Sequence, residues 1–182
     1  NLYPFFLVDN VHKIKSVIDF FNYNIQTQII EDPKEAVECF NTKIPIFNIN
    51  GKIDYKLGKP NKINSKIILE SIKQAFEFVS KKEALGLLTL PVCKKTLKSS
   101  GFEFNGQTEF IGNLSMKKFN NKKEEIMILT TTKPLDGGKN LIVGLVTTHI
   151  PLREIFKHLS RKLIEKKLSI FYNSLKKIWK IK

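Results

Sequence analysis

The 182 residues are 42% hydrophobic and 26% charged, enough apolar material to bury a core in one domain or in a domain plus part of another. No apolar run approaches the roughly 18 residues that a membrane-spanning helix needs, so no membrane partner is expected. The net charge of +14 raises nucleic acid as a partner, but only Arg153 and Arg161 of the 31 basic residues are arginine and the lysines are spread along the chain, so no nucleic-acid partner is expected and the excess reads as solvated surface.

The two cysteines, Cys39 and Cys93, lie 54 positions apart with no C-x-x-C spacing. That argues against a disulfide framework or a zinc knuckle and fits a reducing cytoplasm. The opening NLYPFFLVDN lacks a basic region, a long apolar core and an initiating Met, and reads as mid-protein sequence. The closing IWKIK lacks a capping glycine or proline, so the fold is expected to be incomplete at both ends.

In chain order, Pro4 to Val8 reads as a buried strand. Val11, Ile14, Val17, Ile18 and Phe21 recur at helical spacing, which predicts a helix over Val11 to Tyr23 with one face on a sheet. Ile25, Thr27 and Ile29 predict a second strand. Asp32 before Pro33 is a helix start, predicting a short helix from Pro33 to Phe40. From Ile44 to Pro60 the apolar IPIFNI and a loop with Gly51, Gly58 and Pro60 fit either a small hairpin or a domain crossing. Ile67, Ile68, Ile72, Ala75, Phe76 and Val79 predict an amphipathic helix from about Asn64 to Lys81, capped by Asn64 or Ser65.

Ala84 to Leu90 reads as a buried strand ending at Pro91, and a helix is predicted to begin near Glu109. EEIMILT, ending at Thr130, and NLIVGLVTT, ending at Thr148, predict neighbouring strands joined by KPLDGGKN, whose Gly137 and Gly138 allow a tight reversal. Leu152, Ile155, Phe156 and Leu159 then form a helical stripe. A second helix restarts near Ser160, with Ile164, Leu168, Phe171, Leu175 and Ile178 spaced for packing on other helices. Strands alternating with helices predict an α/β fold.

Two clusters put polar side chains at the end of an apolar run and just before a helix, where open α/β sheets bind ligands. In TLPVCKKTLKSSGFEFNGQTEF, Lys94 can meet an anion, and Gly106, Gln107 and Thr108 lead into a helix whose free N–H groups suit a phosphate. The plainer reading of the same residues is that Thr108 only caps and Lys94 only solvates. In LVTTHIPLRE, His149 directly follows a strand. A lone histidine is usually a packed or hydrogen-bonded side chain, and a metal role needs further donors that His12 and His158 do not obviously supply.

Taken jointly and in this order, the clusters resemble the 4-hydroxythreonine-4-phosphate dehydrogenases. These carry T-x-P-[hydrophobic]-x-K, then G-x-x-[FY]-x-G-H-T-E, then T-T-H-[hydrophobic]-P-L. Thr89, Pro91, Val92 and Lys94 fit the first element, Gly101, Phe104, Gly106, Thr108 and Glu109 the second, and Thr147 to Leu152 the third. Gln107 stands where the family has histidine. It keeps hydrogen-bonding capacity but cannot carry a proton or a charge.

The resemblance implies a two-domain α/β fold like that of isocitrate and isopropylmalate dehydrogenases, acting as a homodimer. Residues 1–182 would form its N-terminal and central portion, with the opening segment and the C-terminal portion missing. It implies oxidation of 4-phosphohydroxy-L-threonine with NAD or NADP, assisted by a divalent metal (Zn, Mg or Co), in the pathway to pyridoxal phosphate. His149 would be a metal ligand and Gln107 and Thr108 the substrate-binding pair, these three meeting at one pocket mouth, with Lys94 a further substrate-binding residue. No catalytic or cofactor-contacting residue is assigned, and the 182 residues alone are expected to be inactive. The alternatives are a related dehydrogenase of a four-carbon sugar-acid phosphate and, in another class, a non-catalytic lysine-rich module that binds phosphate or nucleic acid.

Overall fold

The computed structural model describes residues 3–120, 125–134, 137–138, 140–178 and 180. They fall into two compact units, Asn1–Leu114 and Ser115–Lys182.

The first unit is built on β1 (Leu7–Asp9), α1 (Val11–Phe20), β2 (Thr27–Ile30), α2 (Pro33–Cys39) and β3 (Ile44–Asn48). The strands form a parallel sheet in the order β1-β3-β2, with Leu7 beside Ile46 and Ile29 on its other side. The stretch IPIFN, which fitted a hairpin or a crossing, is therefore the central strand, with Ile46 fully buried. A central strand takes an apolar run because both its faces are covered.

Pro45 explains why β1 starts at Leu7 and not at Pro4. The Ile49 N–H donates to the Asp9 carbonyl at 3.0 Å, while the Ile44 N–H donates the other way, to Gln26, at 2.8 Å. Alternation by two along the strand turns position 45 toward β1. Proline has no N–H to give, so the ladder begins one step later.

Capping sets the helix starts. Asn10, 3% exposed, accepts from the N–H groups of His12 (3.0 Å) and Lys13 (3.3 Å) and donates to the Ile49 carbonyl at 3.1 Å, tying α1 to the end of β3. Asn48 Oδ1 accepts from the Val11 N–H at 2.9 Å. The helix stops at Phe20, short of Tyr23, and Asn22 takes a left-handed turn (φ 51°) beyond it. In α2, Asp32 accepts from Lys34 N–H (2.8 Å) and Glu35 reaches back to Asp32 N–H (2.7 Å), a reciprocal capping box with Pro33 at the first position.

Helix α3 (Ser65–Ser80) buries Ile67, Ile72, Phe76 and Phe78. The Phe78 ring meets Phe6 and Phe47 edge-on at 5.4 and 4.8 Å between centroids, which seats the helix on the strand region. Asn64, at its cap, makes no cap bond. Its side chain instead clasps the Asp54 backbone at both N–H (2.9 Å) and carbonyl (2.8 Å), pinning the loop before the helix. A second cluster joins Ile72 to Leu97, Phe102 and Phe110, with Leu97 1% exposed.

The predicted strand from Ala84 to Leu90 is a correction. Residues 84–93 form no strand, and Leu85, Leu88 and Leu90 are exposed. An extended run becomes a strand only beside a ladder partner, and among the described residues it has none.

In the second unit, β4 (Ile128–Thr130) and β5 (Ile142–Gly144) pair antiparallel, with Leu129 opposite Val143. They are neighbours as expected, though shorter. Leu135, Asp136 and Lys139 of the connecting loop lie outside the described residues, as do the expected helix positions 179, 181 and 182. A 3-10 turn (Leu152–Glu154) leads into α6 (Ile155–His158), whose predicted stripe leaves Leu152 and Phe156 exposed. Helix α7 (Arg161–Lys177) is capped by Ser160, which accepts from Leu163 N–H at 3.2 Å. Lys167 Nζ donates to the Glu125 carbonyl at 2.9 Å, and Phe171 packs against Gly144.

Candidate functional site

Three of the four expected site residues gather in the first unit. Lys94 opens α4 (Lys94–Lys98), held down by buried Leu97. Gln107 and Thr108 are the first two residues of α5 (Gln107–Phe119), held down by buried Phe110. The rings of Phe102, Phe104 and Phe110 lie 5.3 to 5.4 Å apart, fixing the approach of the Gly101–Gly106 loop to α5. Gly101 takes a left-handed φ of 86°, which glycine adopts without steric cost.

The helix starts two residues before the expected Glu109, so Thr108 is not its cap. The Phe110 N–H donates to the Gly106 carbonyl at 3.3 Å, which makes buried Gly106 the capping position and leaves Thr108 exposed within the first turn. A Cβ on Gly106 would stand 3.1 Å from Glu109 Oε2 and 3.6 Å from Lys94 Nζ. One cation and one carboxylate therefore converge on the helix start. Glu109, three residues past the cap, holds its carboxylate beside Gly106. Gln107 Nε2 donates to the Leu90 carbonyl at 3.0 Å, a link across 17 residues that no sequence pattern announces.

Cys93, just before Lys94, is an exposed thiol. Its pKa is lowered first by the Thr96 hydroxyl, which donates to Sγ at 3.0 Å, and then by the Thr96 backbone N–H; desolvation opposes them, and the Lys95 backbone N–H and charge lower it further. Two open clefts of about 370 and 410 Å³ share Ile25, Gln26 and Lys43. They lie at the amino ends of β2 and β3, whereas open parallel sheets bind ligands at the carboxyl ends.

His149 belongs to the second unit. It follows β5, is exposed, and takes a left-handed backbone (φ 58°) unusual outside glycine, though histidine tolerates it better than most. Strained residues of this kind concentrate at functional sites. An exposed imidazole fits one donor position of a divalent ion. Among the described residues no three His, Cys, Asp or Glu side chains come together to complete such a set. Among them, too, no helix is long and apolar enough to cross a membrane.

A family model described as pyridoxal phosphate biosynthetic protein PdxA matches residues 3–182. Curated relatives named 4-hydroxythreonine-4-phosphate dehydrogenase include that of Zymomonas mobilis, 30% identical over 96% of this chain and 48% of the relative. That of Wigglesworthia glossinidia brevipalpis is 32% identical over 93% and 45%. The chain thus spans about half the length of the curated relatives it matches. The crystal structure of the Klebsiella pneumoniae enzyme of that name superposes with a TM-score of 0.77 over 93% of this chain and 48% of its own, at 20% identity. The Burkholderia phymatum structure gives 0.71 over 90% and 46%, at 19% identity. These two likenesses are of fold, and they agree with the mixed α/β architecture. With a family match that runs almost from end to end, the chain belongs to the family of the pyridoxal phosphate biosynthetic protein PdxA.

Proposed function

We propose that this chain supplies part of a cytoplasmic, NAD- or NADP-dependent dehydrogenase that oxidises the secondary alcohol of 4-phosphohydroxy-L-threonine. The product, a 2-amino-3-oxo acid phosphate, loses carbon dioxide to leave 3-amino-2-oxopropyl phosphate. The family match over residues 3–182 carries the reading. The finer architecture that goes with it is a two-domain fold of the isocitrate and isopropylmalate dehydrogenase kind, working as a homodimer.

The chain's own residues have distinct tasks in this scheme. The Lys94 ammonium beside Gly106, the first-turn N–H groups of α5 and the Thr108 hydroxyl hold the phosphate. The Glu109 carboxylate beside Gly106 repels an incoming anion, so the Lys94 charge decides whether one can enter. His149 gives one nitrogen to a divalent ion (Zn, Mg or Co). When bound, the nicotinamide supplies the hydride acceptor and the ion supplies Lewis-acid polarisation of the alcohol oxygen. Gln107, in the place of the family's histidine, favours as a second reading a four-carbon sugar-acid phosphate lacking the amino group.

The test is turnover of phosphorylated against unphosphorylated hydroxythreonine by the full-length protein that carries this sequence. Loss of a charge-assisted contact predicts that Lys94→Ala raises KM for the phosphorylated form about 10- to 100-fold. Equal turnover of both forms by the unaltered protein would contradict the reading.

A further inference from the structure

We propose that Gln107 is a positioning residue, whose amide fastens the Leu90–Lys94 segment to the start of α5 and so holds the Lys94 ammonium beside Gly106. The inference rests on the phosphate-binding role of Lys94 put forward above. Among the described residues, the backbone from Leu85 to Val92 makes one hydrogen bond, the one from Gln107 Nε2 to the Leu90 carbonyl at 3.0 Å. Apolar packing does not hold this stretch at its near end, because Leu85, Leu88 and Leu90 are 105%, 92% and 70% exposed. At its far end it is anchored by Val92 and Leu97 in the cluster with Ile72, Phe102 and Phe110. Lys94 lies past the tether at Leu90 and between Val92 and Leu97, so the amide and the core together leave its backbone little freedom.

The chemistry of the amide fits the task. A carbonyl accepts and cannot donate, so the group facing Leu90 must be the NH2, and Gln107 is committed as a donor. A glutamate there could not donate at neutral pH and would add a second carboxylate to a helix start that already has Glu109 beside it. A histidine could donate through a ring N–H and take over the tether.

The experiment compares Gln107→Ala, Gln107→Glu and Gln107→His in the full-length protein, with 4-phosphohydroxythreonine as probe and limited tryptic cleavage after Lys94 and Lys95 as a readout independent of activity. Loss of one such hydrogen bond predicts a KM rise of about five- to tenfold in Gln107→Ala, with kcat within about twofold and faster cleavage in the segment. Gln107→Glu should lose more, and Gln107→His should restore both readouts. If Gln107→Ala leaves cleavage and KM as they were, the tether is refuted. If the unaltered protein turns over no phosphorylated hydroxy amino acid, the functional reading falls, and the cleavage comparison still decides whether Gln107 holds the segment.

Discussion

The Phe171 ring of α7 occupies the space where Gly144 of β5 would carry a side chain: a Cβ there would stand 2.9 Å from Cδ2 and 3.0 Å from Cγ. Cγ is the rooted end of the ring, so the clash cannot be relieved by swinging a flexible tip. The helix itself must move. Gly144→Ala is expected to destabilise the protein by about 1–3 kcal/mol, the usual cost of overpacking. In a urea titration the loss should shrink when Phe171→Ala is added, as a double-mutant cycle reports for residues in contact.

Asn10 joins the start of α1 to the end of β3, and being 3% exposed it cannot hand its partners to water. Asn10→Ala strands the N–H groups of His12 and Lys13 and the Ile49 carbonyl, at an expected cost of about 2–3 kcal/mol. Asn10→Asp keeps the cap acceptor but loses the donor to Ile49 and adds charge beside Asp9, so it should fall between the two. Denaturation midpoints rank the three proteins.

Cys93 is exposed while Cys39 is buried, so alkylation of the folded protein reads Cys93. The Thr96 hydroxyl stabilises the thiolate, holding the pKa below that of an ordinary thiol. A lowered pKa means more thiolate at neutral pH, and that excess disappears once the pH exceeds the ordinary thiol range. Thr96→Val should therefore slow labelling several-fold at neutral pH and leave it unchanged at strongly alkaline pH, as iodoacetamide kinetics would show.

Local rules were the most legible part of this sequence. Asp32-Pro33 marked a helix start, Ser160 a restart, and the apolar spacing of 67–79 a helix, because capping and periodicity act within a few residues. Pairing was harder to read. IPIFN became a central strand and Ala84–Leu90 became none, since both outcomes depend on what lies alongside and not on the run itself. At the candidate site, a motif picked out Lys94, Gln107 and Thr108 as candidates, but the cap was read at Thr108 where the structure has Gly106. The Gln107 to Leu90 link spans too many positions for any local rule to reach.

In the proposed dehydrogenase, His149 is a ligand of the divalent ion. The most direct measurement is nicotinamide reduction by the full-length protein with 4-phosphohydroxythreonine and a divalent ion, beside His149→Ala. Loss of a metal ligand predicts a drop in kcat/KM of at least about 100-fold, with an unchanged denaturation midpoint. Full metal-dependent activity in His149→Ala, or no nicotinamide reduction by the unaltered protein, would contradict it.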